Sequence, residues 1–502
     1  MKLNYKRTIL VGFAFFLISA FWQAYDAIVP LALTNHFGLP QTVSGIIMSV
    51  DNILAVFMLP IFGAISDKVM TKFGRRTPFI VIGTLAAVFS FILLTLVNGI
   101  QINALAESGI VERYNAASAT FSTTVEGLAE ALRNGAITDA AHSAGVLQAE
   151  TVFEAAKDAL KAEALELTLK NVWPLVGFIG VLLVVLISMA TFRSPAVALM
   201  PDVTVKPLRS KGNAIINLMG TAGGIIILAL SSVFGISKNP YMSYTAYVVA
   251  TCVVMLVGLG IFIATVKEKK WADEMEDSTK RLGLEETVAR DAEGPKRTLE
   301  RAELKSLILI LASVALWYIG YNSITSKYSV YSVNVLGVDY GLTLIVAQAA
   351  AIISYIPVGI VASRFGRRKT ILAGIIMLTA AFFVGNFIGA GSNILVMYPI
   401  FALAGVGWAT INVNSFPMVV ELAKGGEVGK YTGYYYTASM AAQIVAPILS
   451  GLLYDLFTMR IMFFLFGTVF VALSFVTMFF VKHGDAKPEA QGALESLAGA
   501  DD

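Results

Sequence analysis

Four ionisable side chains interrupt stretches of sequence otherwise apolar enough to lie in a bilayer: Asp26, Asp51, Arg193 and Lys327. A charge at membrane depth is costly, so it is kept where it faces a bundle interior or a ligand rather than lipid. A lone carboxylate there can take up a proton on one side of a membrane and release it on the other. Asp51, and Asp26 after it, are therefore the expected proton-coupling groups. An acid merely wetted at the outer mouth is the alternative reading of each. Arg193 can clamp hydroxyls or pair with either acid. Lys327 is its counterpart in the second half of the chain, unless its long stem carries the ammonium out to the interface.

Aromatic and amide residues accompany these charges: Trp22, Gln23 and Tyr25 beside Asp26; Asn52 beside Asp51; Asn213 and Asn217; Tyr318, Tyr321 and Asn322; Trp408, Asn412 and Asn414. A carbohydrate site needs ring faces for the apolar side of a sugar, and amides or charges for its hydroxyls. An aromatic stripe alone marks a lipid interface, but asparagine facing lipid is unfavourable, so the interleaving points inward.

The elements that must position these groups are helices in lipid. Of the 502 residues, 57% are hydrophobic and 14% charged, against about 25% charged in soluble domains, and the mean hydropathy is +0.73. Apolar runs predict helices at about 8–34, 43–65, 79–98, 172–192, 213–235 and 243–266, then 305–335, 341–362, 369–390, 394–420, 431–454 and 460–481, each near the 20 residues that cross a bilayer. The predicted fold class is all-α integral membrane, with twelve transmembrane helices in two pseudo-symmetric six-helix bundles. The basic N-terminus before the first run resembles a signal peptide, but the run is too long, and it is expected to remain as the first helix.

Lys68, Lys72, Arg75 and Arg76, then Lys206, Arg209 and Lys211, then Arg364, Arg367, Arg368 and Lys369 cluster in alternate short loops. The positive-inside rule makes those loops cytoplasmic, and an even helix count puts both termini there too, in the cell membrane. The opposite loops near Gly38, Asn239, Gly337 and Gly391 hold almost no basic residues.

An internal repeat runs through the basic loops. P-I-F-G-A-I-S-D-K-V-M-T-K-F-G-R-R-T-P-F from Pro60 corresponds to P-V-G-I-V-A-S-R-F-G-R-R-K from Pro357, and P-A-V-A-L-M-P-D from Pro195 loosely to N-S-F-P-M-V-V-E from Asn414. Duplication of this kind builds secondary transporters, in which two halves rock about a midplane site. Glycines Gly63, Gly74, Gly359 and Gly366 permit tight turns and close helix approach. Asp67, Asp202 and Glu421 can pair with Arg75, Arg76, Arg209, Arg367 and Arg368, and pairs made in only one arrangement would bias the equilibrium between arrangements. Orientation alone would explain the arginines but not the glycines and acids.

D-K-V-M-T-K-F-G-R-R-T-P-F (Asp67 to Phe79) resembles the loop between helices 2 and 3 of the glycoside/pentoside/hexuronide:cation symporters within the major facilitator superfamily. F-R-S-P-A-V-A-L-M-P-D (Phe192 to Asp202), R-S-K-G-N-A (Arg209 to Ala214), G-W-A-T-I-N-V-N-S-F-P-M-V-V-E-L (Gly407 to Leu422) and Y-T-G-Y-Y-Y-T (Tyr431 to Thr437) look like members near the sucrose-transporter branch. The resemblance implies symport of a disaccharide-like sugar or glycoside by alternating access. In the melibiose-permease branch an acid stands where this chain has Arg193, and others where it has Ala55 and Leu59, so that cation site is not reproduced. The resemblance therefore implies protons rather than sodium as the coupling ion, with sodium as the alternative. Another cargo, a lysolipid or other amphiphile, remains the competing reading, since fold does not fix substrate.

Two segments fall outside the repeat. Residues 101–170 carry ten acidic and five basic residues between the third and fourth helices. The apolar spacing of 146–170 predicts a helical cap over the outer mouth; an inert insertion fits equally well. Residues 267–304 are dense in charge and read as a solvated helical or flexible linker, which divides the chain into 1–266 and 305–482 with a tail at 483–502. Cys252 is the only cysteine and reads as a packed core thiol. No nucleotide loop, triad or metal-ligand spacing is present, Gly220–Gly224 reads as helix packing, and the net charge of +3 does not suggest nucleic acid. The sequence thus predicts no enzyme, cofactor or metal. Its expected partners are a small-molecule sugar and membrane lipid, and the chain is expected to be a monomer.

Overall fold

The computed structural model describes residues 3–205, 208–281, 300–389, 394–422 and 428–484. The second part of the expected linker (282–299), the tail from 485, Lys206 and the loop at Gly391 lie outside them. The first half contains α1 (Tyr5–Leu31, continued by a π-helical turn, Ala32–His36), α2 (Gln41–Lys68), α3 (Thr77–Glu107), α4 (Ile110–Arg133), α5 (Asp139–Lys170), α6 (Trp173–Val203), α7 (Arg209–Val233) and α8 (Thr245–Thr265). After α9 (Glu268–Arg281), the second half contains α10 (Arg301–Thr325), α11 (Tyr328–Tyr331, continued by a π-helical turn, Ser332–Leu336), α12 (Tyr340–Phe365), α13 (Arg367–Gly385), α14 (Ile394–Glu421), α15 (Val428–Phe457) and α16 (Met459–Phe479). Eleven described helices are long and apolar enough to cross a bilayer, and α12 adds an apolar segment over Tyr340–Tyr355. Each of the twelve predicted spans is matched by helix, most of them longer than expected at one end or both.

Hydrocarbon offers no partner to a backbone N–H or carbonyl, so these helices satisfy their own. Prolines are nonetheless frequent, at Pro30, Pro60, Pro195, Pro201, Pro357, Pro399, Pro417 and Pro447 inside helices. The seventh predicted span is broken near Ser326 and Lys327 and resumes as α11.

The two halves meet through three helix pairs: α2 with α15, α7 with α12, and α1 with α11. Each pairs one half with the other, as a twofold-related duplication requires. Glycine makes the contact possible. A Cβ on Gly45 would lie 2.0 Å from the Pro447 carbonyl oxygen, one on Gly451 2.4 Å from the Gln41 carbonyl oxygen, and one on Gly341 2.6 Å from the Leu228 carbonyl oxygen. These contacts lie at the helix ends remote from the basic loops. On that face the halves are closed against each other.

Two expectations about the extra segments are refined. The segment whose helical spacing is legible only over 146–170 forms a hairpin of two long helices, α4 and α5. The charge run after the sixth span begins with an ordered helix, α9, docked on the first half rather than solvated all round: Trp271 is buried, Arg7 lies 5.3 Å over its ring, and Arg7 pairs with Glu274 at 2.5 Å. Together α1, α6 and α9 line an open pocket of about 190 Å³ on the basic-loop side.

Because Gly45 has no room for a side chain, Gly45→Val is expected to prevent the face from closing. Spin labels at exposed Lys238 and Phe387, one on each half of that face, should move apart in pulsed dipolar measurements; an unchanged distance would contradict the packing.

Candidate functional site

At the centre of the first half, α1, α2 and α6 bring together Trp22, Asp26, Asp51 and Arg193. The guanidinium of Arg193 lies 5.6 Å from the Trp22 ring centroid, a cation–π contact that orients a cation while leaving its N–H groups available. Arg193 is close enough to Asp51 to attract it, and Asp51 close enough to Asp26 for the two carboxylates to repel. Asp51 accepts the Asn52 backbone N–H at 2.5 Å and its side-chain amide at 2.8 Å. Two buried donors beside these charges, Trp22 Nε1 and Tyr25 OH, have no hydrogen-bond partner. An unmet donor in a dry interior is costly, and it marks a place where a ligand or water completes the set.

Across the seam, Gln348 on α12 donates to Gln23 Oε1 at 3.1 Å, linking the halves at the level of this cluster. In the second half Tyr321 stacks on Trp408 with centroids 5.8 Å apart and planes at 25°. Asn322 donates to the Tyr318 carbonyl of its own helix at 2.9 Å, which leaves its carbonyl oxygen outside that bond.

The remaining candidates are placed differently. Lys327, expected at the substrate site, is fully buried on the closed face, where it donates to Ser44 Oγ at 2.7 Å and to the Gln41 carbonyl at 3.3 Å. The break between α10 and α11 aims its stem across the seam instead of along the centre. Asn414 is buried and donates to the Thr410 carbonyl at 2.9 Å, spending its amide within α14. Asn412 and Asn217 are buried, and Asn217 Nδ2 has no partner. Asn213 is half-buried on α7.

At the basic-loop end the motif residues form one knot. Arg75 makes a two-pronged contact with Asp202 at 2.7 and 3.0 Å, and Arg76 reaches the same carboxylate at 2.7 Å while also pairing with Asp67 and Ser66. Arg209 donates to the Pro201 and Thr204 carbonyls at 3.0 and 3.1 Å, closing the C-terminal end of α6. In the second half Arg367 pairs with Glu421 at 2.6 Å and Arg368 donates to the Met478 and Phe479 carbonyls. Gly359 lies on α12, and Gly366 is its C-terminal cap at φ 91°.

Sequence reading missed the group that organises this knot. Glu268, at the head of α9, accepts the backbone N–H groups of Arg75, Arg76 and Thr77 and the Thr77 hydroxyl, all at 2.7–2.8 Å. It supplies the cap that the exposed amides at the start of α3 need. Gly74, at φ 116°, would place a Cβ 2.3 Å from the Glu268 carboxyl carbon, so glycine there is the condition for the cap. The other missed residues, Gln348, Asn35, Asn334, Glu150 and Arg460, sit in π-helical turns or unremarkable helix positions whose partners lie far away in the chain.

Two helical bundles joined along one face, with ionisable and unsatisfied polar groups near their centre, define a membrane carrier rather than an enzyme. Two family models match the chain, one described as MFS/sugar transport protein over residues 10–109 and one as Major Facilitator Superfamily over residues 339–499. Among solved structures, the inward open conformation of the xylose transporter XylE from E. coli aligns with 98% of this chain and 99% of its own at 12% identity and a TM-score of 0.58. A point mutant of the nucleoside transporter NupG aligns at 12% identity over 95% of this chain and 100% of its own with a TM-score of 0.51. The peptide transporter POT in complex with sulfate aligns at 11% over 95% and 93% with a TM-score of 0.58. A comparison with curated proteins gave no match. The chain has the fold of these solved transporters, and a segment in each half matches a major facilitator family model.

Losing the Glu268 cap strands three backbone donors. Glu268→Ala is therefore expected to cost about 1–3 kcal/mol, seen as a lower midpoint of thermal unfolding in detergent; a wild-type midpoint would show that the cap carries no stability.

Proposed function

We propose that this chain moves a sugar or glycoside of disaccharide size across the cytoplasmic membrane by alternating access, in symport with protons. The observation that carries the reading is the central cluster: Arg193 over the Trp22 ring, Asp51 and Asp26 beside it, and the unmet donors Trp22 Nε1 and Tyr25 OH. A ring face, a cation, two acids and free donors within one small region suit a polyhydroxylated ring better than a peptide terminus, which would ask for paired opposite charges on the two halves. The match to a sugar-transport family model over residues 10–109 supports the same cargo.

Asp51 is the proposed proton carrier, with Asp26 second. Arg193 is the switch between them: it can attract the Asp51 carboxylate or turn to substrate hydroxyls, so proton occupancy and substrate binding answer to one guanidinium. Tyr321 and Trp408 offer a second ring platform, and Asn322 an acceptor, from the other half. Cytoplasmic basic loops and termini follow from the positive-inside rule, which makes the closed face external and the described arrangement inward-facing. The knot around Asp202 and the Arg367–Glu421 pair then lie at the cytoplasmic ends of the two halves, each within its own half, as expected of latches that re-form between halves when that side closes.

In proteoliposomes with an imposed pH gradient, wild-type protein should concentrate a labelled disaccharide. Asp51→Asn should abolish concentration while leaving exchange of labelled for unlabelled sugar; retained concentrative uptake would remove Asp51 from the coupling role. Arg193→Ala should weaken sugar binding by about tenfold or more, the worth of one charge-assisted contact. Thermal stabilisation by a panel of sugars measures it, and unchanged affinity would take Arg193 out of the site.

A further inference from the structure

The hairpin of α4 and α5 is built into the first half. Thr168 Oγ1 donates to the Phe37 carbonyl at 3.0 Å, and Gln101 holds both Thr168 Oγ1 and the His36 carbonyl at 3.0 Å. A Cβ on Gly38 would fall 2.4 Å from the Leu165 backbone nitrogen, so the connection after α1 passes directly against α5. Leu105, Ile110, Tyr114, Leu160, Ala164 and Tyr241 form a small core of their own beneath the hairpin, and Arg113 ties α4 to α5 through Glu163 at 2.7 Å.

From this base α5 reaches over the seam to the second half. Glu150, 4% exposed, pairs with Arg460 at the start of α16. One turn or two further along, Lys157 donates to the main-chain carbonyl of Asn334 in the π-helical turn after α11 while pairing with Glu154 at 2.6 Å. Lys161 follows, close enough to Asp455 for the two to attract; burial pulls its ammonium below the usual lysine range, and Asp455 and Asp158 work against that shift. Asp455 itself stands on α15 and accepts the Gln41 and Thr42 backbone N–H groups of α2 at 2.7 Å each, a helix cap supplied by the opposite half. Three residues spaced along one helix thus face three segments of the other half.

We propose that the α4–α5 hairpin is a latch that holds the two halves together on the closed face, with Glu150–Arg460 and Lys157–Asn334 as its catches. The hairpin moves with the first half because its roots are packed there. Opening the closed face must therefore break both catches and leave the shielded Glu150 carboxylate without its cation until water reaches it. The latch adds to the seam contacts that the halves make directly, and its strength sets how often this face opens. The inference rests on the reading that the halves alternate, but not on the identity of the cargo.

The test uses the full chain with its single cysteine, the buried Cys252, replaced by alanine, and a cysteine in place of Ser49. Ser49 is fully buried at the seam, donating to the Ile444 carbonyl at 2.9 Å, so maleimide labelling there reports opening. Glu150→Gln, Lys157→Met and Arg460→Ala should each speed labelling by about three- to tenfold, the range expected when one partner of a partly shielded pair is removed. The double exchange E150R/R460E should restore a slow rate, whereas Glu126→Gln on the exposed face of α4 should leave it unchanged. Wild-type labelling rates in all three single variants would overturn the latch, and equal acceleration by Glu126→Gln would show general loosening instead. The two hairpin variants carry the test should Arg460→Ala disturb α16. Transport loss with labelling rates as expected would count against the cargo reading alone.

Discussion

The organising constraint is that a charge inside a bilayer must find either a partner or water. This chain answers it in three places, and the fold follows from where those places are. At the basic-loop end, Arg75, Arg76, Asp67 and Asp202 neutralise one another within the first half, and Glu268 adds the capping of α3. On the opposite face, Lys327 and Asp455 are absorbed into the seam by backbone groups of α2. At the centre of the first half charges are left incompletely answered, with two acids near a single arginine and two idle donors alongside. Satisfied groups build the frame, and unsatisfied donors set beside unanswered charges are where a ligand would be most favoured.

The seam shows how a duplicated chain can close and still be able to open. The two π-helical turns, Ala32–His36 and Ser332–Leu336, occupy corresponding positions in the halves and meet each other: Asn35 and Asn334 exchange amide hydrogen bonds at 3.2 and 2.8 Å. A π turn leaves part of the local backbone unpaired and is rare outside functional positions. Here it turns two asparagines toward the axis of the repeat. The contacts around them include glycine on backbone, amide on amide and single caps. Such contacts are individually modest, so the closed face is held by many small terms, the condition under which a ligand's differential binding can shift the balance.

How much of this was legible in the sequence depended on the range of the interaction. Helix number and the repeat were readable because hydropathy is a local property and lipid enforces it over about 20 residues. Asp26, Asp51, Arg193 and Trp22 were readable as candidates for the same reason, and the structure brings these four together. For Lys327 the sequence leaves centre and outer face open, because the partners that hold it at the seam, Ser44 and the Gln41 carbonyl, belong to the other half. Asn414 donates to the carbonyl four residues back in its own helix, at Thr410, and no spacing rule separates that arrangement from a ligand contact. Glu268 was overlooked inside a charge run whose usual meaning is solvation. Only the glycine at position 74, where a tight turn alone would not demand such openness, hinted that another chain segment approaches there.

The distribution of charge between the halves argues for a division of labour. Asp26, Asp51 and Arg193 all belong to the first half, whereas the named central groups of the second half, Tyr321, Trp408 and Asn322, are neutral. If binding and coupling were shared equally, rocking of the halves would have to carry opposite charges apart in a medium that screens them weakly, a cost that grows with every ångström of separation. Keeping the ionisable set on one rigid body avoids it: the acid–arginine distances need not change as the halves rock. On the proposed function, what would change is the wall the second half presents to that set, the aromatic and amide surface of Tyr321, Trp408 and Asn322. On that same proposal, the first half would hold the proton and the second half would close over the cargo, with the two events linked through Arg193 and no charge dragged across the seam.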